Sequence, residues 1–400
     1  MDQRDVIQEL ASWAGVAPEA EAFDEDVVAE VQPRLYQHAV EAFGSWSIAL
    51  GAALMHVTQE SAKARRRATE PEEEVAAPTH LQAPATRQVT EAAGYPLYLL
   101  SDEGFLTRMA LSQLEMTSAS TWELLPDGPQ RAAWPARLHL GDDDDTFFAL
   151  SADGTGGTLH GPYFAHWGPD ARPTRLVDRI RGAEDYPAVA MVPRRHLRLF
   201  HRIYAVATDG QIKASEGDEY AKRLGNEVID VILPRDEQRA LTMFTAGRAD
   251  PIMMASSNGK AIVFDASELR SQGRRAQGVR GILLDDGATT VSAFPVEGEE
   301  VVLLTEHGYV KRMLLSEFRP QGRGGAGLQT SRLADGDRVL AMLPASTDDD
   351  LLVIATDGQY LRLPVWQIPA MGRAARGEVL VAPAPGQQLL DARIVPAGAV

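Results

Sequence analysis

Apolar residues run into a tight glycine turn and straight back out six times along this chain, at near-constant spacing. The six segments are LYLLSDEGFLTR, TFFALSADGTGG, IYAVATDGQIKA, IMMASSNGKAIV, VVLLTEHGYVKR and LLVIATDGQYLR. Their turn glycines are Gly104, Gly154, Gly210, Gly259, Gly308 and Gly358, at intervals of 50, 56, 49, 49 and 50 residues. A fixed period of this size means one supersecondary unit used repeatedly. Asp-Gly or Asn-Gly between β-rich runs predicts a hairpin with a type I′ turn, because both central residues of that turn need positive φ. Six such units arranged radially predict a mainly β fold, a six-bladed propeller with only short, protected sheet edges.

The 400 residues are 44% hydrophobic and contain no cysteine. Disulfides and thiolate metal sites are therefore excluded, and a reducing compartment is expected. The nine histidines form no HxH, HxxxH or HExxH pattern, so neither a metal nor another cofactor is expected. The start, MDQRDVIQEL, lacks the basic and apolar regions of a signal peptide. The longest apolar stretch, near IALGAALM, is too short to span a bilayer. A cytoplasmic protein is the expectation.

Net charge is −17, unevenly spread. Residues 1–90 carry −8, residues 91–250 carry −7, and residues 251–400 carry only −2. The arginines of the last three repeats gather in glycine-rich loops. Phosphate binding responds to that local field more than to net charge.

Three regions follow along the chain. Residues 1–67 read as a helical module. Val6, Leu10 and Trp13 share one face, and Leu35, Ala39, Phe43, Trp46, Leu50 and Leu54 repeat at three- and four-residue steps. That stripe is either the module's own core or a docking or dimerisation surface. Residues 68–95, rich in Pro, Ala and acidic residues, read as a linker. Residues 96–400 hold the six blades. Two segments there have double readings. MVPRRHLRLFHRIY is read as a strand with an alternating basic face or as a phosphate contact. GDDDDT lacks the ligand spacing of an EF-hand and is read as an acidic turn.

About fourteen residues after the hairpin glycine, repeats four to six carry a second motif: SQGRRAQGVRGI, PQGRGGAGLQT and AMGRAARGEVL. Gly273, Gly322 and Gly372 are each followed by an arginine, Arg274, Arg323 and Arg373, and five residues on by Gly278, Gly327 and Gly377. Glycines let backbone N–H groups converge on an anion, and arginine offers bidentate geometry for phosphate. The same spacing also suits a simple strand connection with the arginine paired to a local carboxylate.

These residues resemble blades of the C-terminal domain of gyrase A, the DNA-cleaving half of DNA gyrase, in a family shared with the corresponding half of topoisomerase IV. The likeness is specific over residues 250–400, weaker but in phase over 96–250, and does not cover 1–90. It implies a β-pinwheel, in which neighbouring blades exchange strands, with double-stranded DNA wrapping the basic outer edge. Together with the loops, it gives an expected DNA-contacting set of Arg274, Arg275, Arg280, Lys311, Arg312, Arg323, Gly324, Gly325, Arg373 and Arg376. The family's Q-R-R-G-G-K-G box, needed for chiral wrapping, follows the first blade's hairpin. Here that place reads LSQLEMTSASTWELL, and the nearest match is QGRGGAG at 321–327, with Ala326 in the lysine's place. The family's catalytic region finds no counterpart in residues 1–90, and no GxxxxGK[ST] loop occurs. The resemblance therefore implies a non-catalytic, nucleoid-associated protein that binds and bends duplex DNA. The expected protein partner is a topoisomerase core or another protein, reached through the N-terminal helices. The competing reading is a protein-interaction propeller that no longer binds DNA.

Overall fold

The computed structural model describes residues 36–37, 39–40 and 96–400, apart from 131–133, 142–145, 200–201, 222–226, 236 and 400. The helical module, the linker and the acidic turn at 142–145 lie outside the described residues, save that Tyr36, Gln37, Ala39 and Val40 are helical.

Each hairpin becomes the middle of a sheet. In blade five, Glu300–Thr305 and Tyr309–Leu314 pair antiparallel, with Val302 opposite Arg312. Val339–Ala345 flanks the first strand on the axial side. The outer position is taken by Glu378–Val379, which comes from repeat six. The same exchange recurs around the ring. Val279–Arg280 completes blade three, Leu328–Gln329 blade four, Ile229–Asp230 blade two and Thr174–Arg175 blade one. Repeat one supplies Glu123–Leu124 to blade six, where Leu124 faces Gln359. The first repeat thus closes on the last.

The apolar runs are explained by burial on both faces. In a strand alternate residues point to opposite sides. Val302 and Leu304 pack against blade six, in a cluster with Leu351, Val353 and Leu361. Val301 and Leu303 pack against blade four, with Met253, Ala255 and Val263. Leu352 and Ile354 meet Leu97 and Leu99 of blade one. Six such clusters fill the six seams between blades, including the one that joins the ends. Each buried Leu, Ile or Val contributes about 1.5–3 kcal/mol relative to exposure, so every seam is held independently by several such residues.

All six turn glycines have positive φ, from 72° to 88°. The turn type, however, departs from I′. In the first five turns the glycine N–H bonds back three residues, as in Gly308 to the Thr305 carbonyl at 3.0 Å. The residue before the glycine is not left-handed in these five. They are three-residue loops, a type I turn closed by one left-handed glycine. Only the sixth has two consecutive positive-φ residues, Asp357 at 66° and Gly358 at 72°.

The MVPRRHLRLFHRIY segment is not one strand. Ala188–Pro193 is a strand, His196–Leu199 a short helix, and Arg202–Ala207 the next strand. Arg194 donates to the Ala221 carbonyl and Arg202 to that of Leu269, so both serve packing between elements.

Candidate nucleic-acid interface

The second motif is the crossing that carries a strand to the neighbouring blade. In repeat five the chain leaves the hairpin through a short 3-10 turn, Leu315–Glu317. It then runs through residues 321–327 and pairs Leu328 with Ala261 of blade four. The three loops therefore lie over the seams three–four, four–five and five–six, not on single blades. The later glycine of each has positive φ: 84° at Gly278, 73° at Gly327 and 103° at Gly377. A Cβ there would sit 2.6 Å from the Ile212 carbonyl oxygen, 2.6 Å from that of Ala261 and 2.9 Å from that of Val310. These glycines are required by the close approach of the exchanged strand.

Two of the loops already hold an internal anion. The Arg323 N–H donates to the Glu268 carboxylate at 2.9 Å, and the Arg373 N–H to Glu317 at 3.2 Å. Each glutamate comes from the 3-10 turn one repeat earlier.

The expected DNA-contacting residues separate into two groups. Lys311 is fully buried, and its ammonium donates to the carbonyls of Gly372, Arg373 and Ala375 at 3.0, 2.8 and 2.8 Å. Burial lowers its pKa to about 8. Lys213 holds the corresponding place in blade three, donating to the Arg274 carbonyl at 2.7 Å, and burial likewise lowers it to about 8. Arg312 pairs with Glu300 at 2.6 Å and donates to the Ile368 carbonyl. Lys311 thus positions loop six from beneath, and Arg312, half-buried, is held between Glu300 and the Ile368 carbonyl.

The other residues belong to the crossings themselves or to the strands they supply. Arg275, Arg280, Arg323 and Arg376 are exposed, whereas Arg274 and Arg373 are half-buried. Arg275 pairs with Asp230 at 2.9 Å, and Arg373 lies 3.9 Å from Glu317. Arg323 donates to the carbonyls of Glu268 and Arg280. Arg376 lies over the Tyr309 ring and donates to the Arg332 carbonyl. Gly324 donates to the Gly281 carbonyl at 2.7 Å, and the Gly325 carbonyl accepts from Leu283 at 2.9 Å.

Those bonds join one loop to the next. Leu233 N–H reaches Ala276, Leu283 reaches Gly325, and Ser120 reaches Leu380. The loops therefore follow one another as a belt around the edge. Its charge is uneven: the segment of repeat one at seam six–one carries exposed Glu115 and Glu123 and no arginine. Repeat two also makes the crossing, with Gly168 in phase with Gly273, Gly322 and Gly372. The sequence motif misses this copy because Pro169 and Pro173 replace the arginine and the second glycine.

A family model described as DNA gyrase C-terminal domain, beta-propeller, matches residues 250–297, 299–346 and 349–396. A solved gyrase A C-terminal domain superposes with a TM-score of 0.66 at 18% identity, covering 75% of this chain and 99% of that one. The ring has the fold of the gyrase A β-pinwheel. The C-terminal domain of DNA topoisomerase IV follows at TM-score 0.59 and 18% identity, over 77% of this chain and 95% of that domain. The gyrase A protein of Staphylococcus epidermidis is 32% identical over 217 residues, 53% of this chain and 24% of that protein. That of Klebsiella oxytoca is 25% identical over 216 residues, again 24% of its length. The chain thus spans about a quarter of these relatives. Among the described residues, no helix is long and apolar enough to cross a membrane, and no group of His, Cys, Asp and Glu could hold a metal ion.

Proposed function

We propose that the pinwheel binds and bends duplex DNA along the edge formed by seams three–four to five–six. One observation carries this reading. Three successive strand crossings, the first two joined by backbone hydrogen bonds and the last two by the Arg376 side chain and the Arg332 carbonyl, set Arg274, Arg275, Arg280, Arg323, Arg373 and Arg376 along one belt. A curved row of cations fits a polyanion, and a backbone-tracking contact needs no base recognition. The acidic seam six–one limits the track to part of the circle and favours bending over a full wrap. In this reading the protein is nucleoid-associated and non-catalytic, and works beside a type IIA topoisomerase core attached through residues 1–67. The chain alone neither relaxes nor supercoils plasmid DNA.

Fluorescence anisotropy with a labelled duplex of arbitrary sequence tests the reading. Affinity should fall steeply between about 50 and 200 mM salt, because neutralised phosphates release counterions. Absence of binding at the lower salt would transfer the function to a protein-interaction platform. Seam six–one is the observation that favours that second reading, since Met116 and Leu124 are 47% and 66% exposed beside Glu115 and Glu123.

A further inference from the structure

Two of the three arginines named by the Gly-Arg motif, Arg323 and Arg373, are already engaged within the protein. The Arg323 and Arg373 amides are bonded to glutamates, and their guanidinium groups reach backbone carbonyls or a carboxylate of the preceding crossing. A phosphate there competes with a bound carboxylate. Three further arginines have no such partner.

Arg270 and Arg319 stand 49 residues apart, at the same place in repeats four and five. Each follows the short 3-10 turn and opens the crossing to the neighbouring blade. The residue before each, Leu269 or Phe318, is buried at 1% or 4% exposure, which anchors the backbone at that point. Both arginines are exposed. Arg332 is exposed as well, in a groove of about 360 Å³ lined by Asn258, Gln329, Ser331, Leu333 and Ala374. This groove lies between the hairpin tip of blade four and the Gly372 loop. Among the described residues, none of these three guanidinium groups has a hydrogen bond or a carboxylate within ion-pair distance. A phosphate oxygen binding there displaces only water, and the planar guanidinium can meet it bidentately.

We infer that Arg270, Arg319 and Arg332 form the phosphodiester grip of this edge, while Arg323 and Arg373 are positioning residues that hold the crossings in place. The inference rests on the duplex-binding reading above. It adds which side chains contact the phosphates and moves them off the motif.

The test uses the full chain and anisotropy with a labelled duplex across a salt series. The triple variant R270Q/R319Q/R332Q should lower the salt slope by about 0.9 per lost contact, nearly three in all. R270K/R319K/R332K should keep the wild-type slope, because the charge count is retained. R323Q/R373Q should keep the slope and instead speed amide hydrogen exchange in residues 320–328 and 370–379. If the glutamine triple binds with the wild-type slope, or if R323Q/R373Q loses more slope than the triple, the inference fails and the duplex-binding reading stands. If the wild-type chain does not bind duplex at about 50 mM salt, both fall together.

Discussion

The ammonium of Lys311 donates to the carbonyl oxygen of Arg373 at 2.8 Å, fastening a hairpin strand of blade five to a loop 62 residues later. Gly372 and Ala375 complete the set of three carbonyls around it. A charged group replaces an apolar one beneath this loop; in blade four the corresponding residue is Ile262, in van der Waals reach of a Cβ at Gly325. The cation carries a desolvation cost that the carbonyls offset only in part, which is why its pKa falls to about 8.

The consequence is a pH dependence of known sign. The unfolded lysine titrates at 10.5 and the folded one at about 8. Between these values the unfolded chain binds the proton and the folded chain releases it. Stability from this group is therefore fully present above 10.5 and is lost as pH falls through about 8. Chemical denaturation of wild type and Lys311→Met should show the difference moving toward wild type as pH rises through that window. The change should reach at most about 1.4 kcal/mol per pH unit. A difference that stays flat from pH 7 to 10.5 contradicts the assignment.

The two glycines of each loop should respond differently to alanine. Gly327→Ala places a Cβ 2.6 Å from the Ala261 carbonyl oxygen at a φ of 73° and should cost more than about 2 kcal/mol. Gly273→Ala meets nothing within 4 Å and has no positive φ, so it should change stability by less than about 0.5 kcal/mol. Equal effects in thermal melts would contradict the crossing geometry.

Ring closure rests on repeat one. The Leu125 N–H donates to the Gly358 carbonyl at 2.8 Å, beside the Glu123–Leu124 pairing. Near the axis, the Asp391 carboxylate accepts from Leu138 N–H at 2.8 Å while Arg393 donates to the Leu138 carbonyl at 2.8 Å. Leu125→Pro removes the outer donor. Amide exchange should then accelerate in Gln359–Pro364 and leave blade three unchanged. Uniform acceleration around the ring would mean that closure is not local to seam six–one.

The His139 ring packs edge-on against Phe147, with centroids 6.1 Å apart. Burial, then the charges of Arg393 and His196, lower its pKa to about 3. The folded value lies below the unfolded 6.5, so stability from neutral His139 is present above 6.5 and lost as pH falls toward 3. His139→Phe should flatten the stability profile of the chain in that window, read by denaturant midpoint at pH 4 and pH 7.

Much of the fold is legible in the linear chain. The apolar runs VVLL and LLVI are strands buried on both faces, and each turn glycine takes the left-handed φ that its position requires. Both properties depend on neighbours a few residues away, so spacing alone reveals six blades. The turn type is not legible in the same way, because a single left-handed glycine closes a three-residue loop as well as Asn-Gly or Asp-Gly closes a shorter one.

The fate of individual charges could not be read that way. Lys311 and Arg312 are adjacent to loop-like basic patterns in sequence, yet Glu300 and the carbonyls of 368–375 hold them. Glu268 meets Arg323 across 55 residues, and Glu317 meets Arg373 across 56. These partners come together only because each crossing lands on the blade before it. The sequence determined the repeat, its strands and its turns, since local backbone preference and alternation of burial fix them. The tertiary structure decided which arginines are bound within the protein and which face solvent, because ion pairing and desolvation depend on distances that strand exchange alone sets.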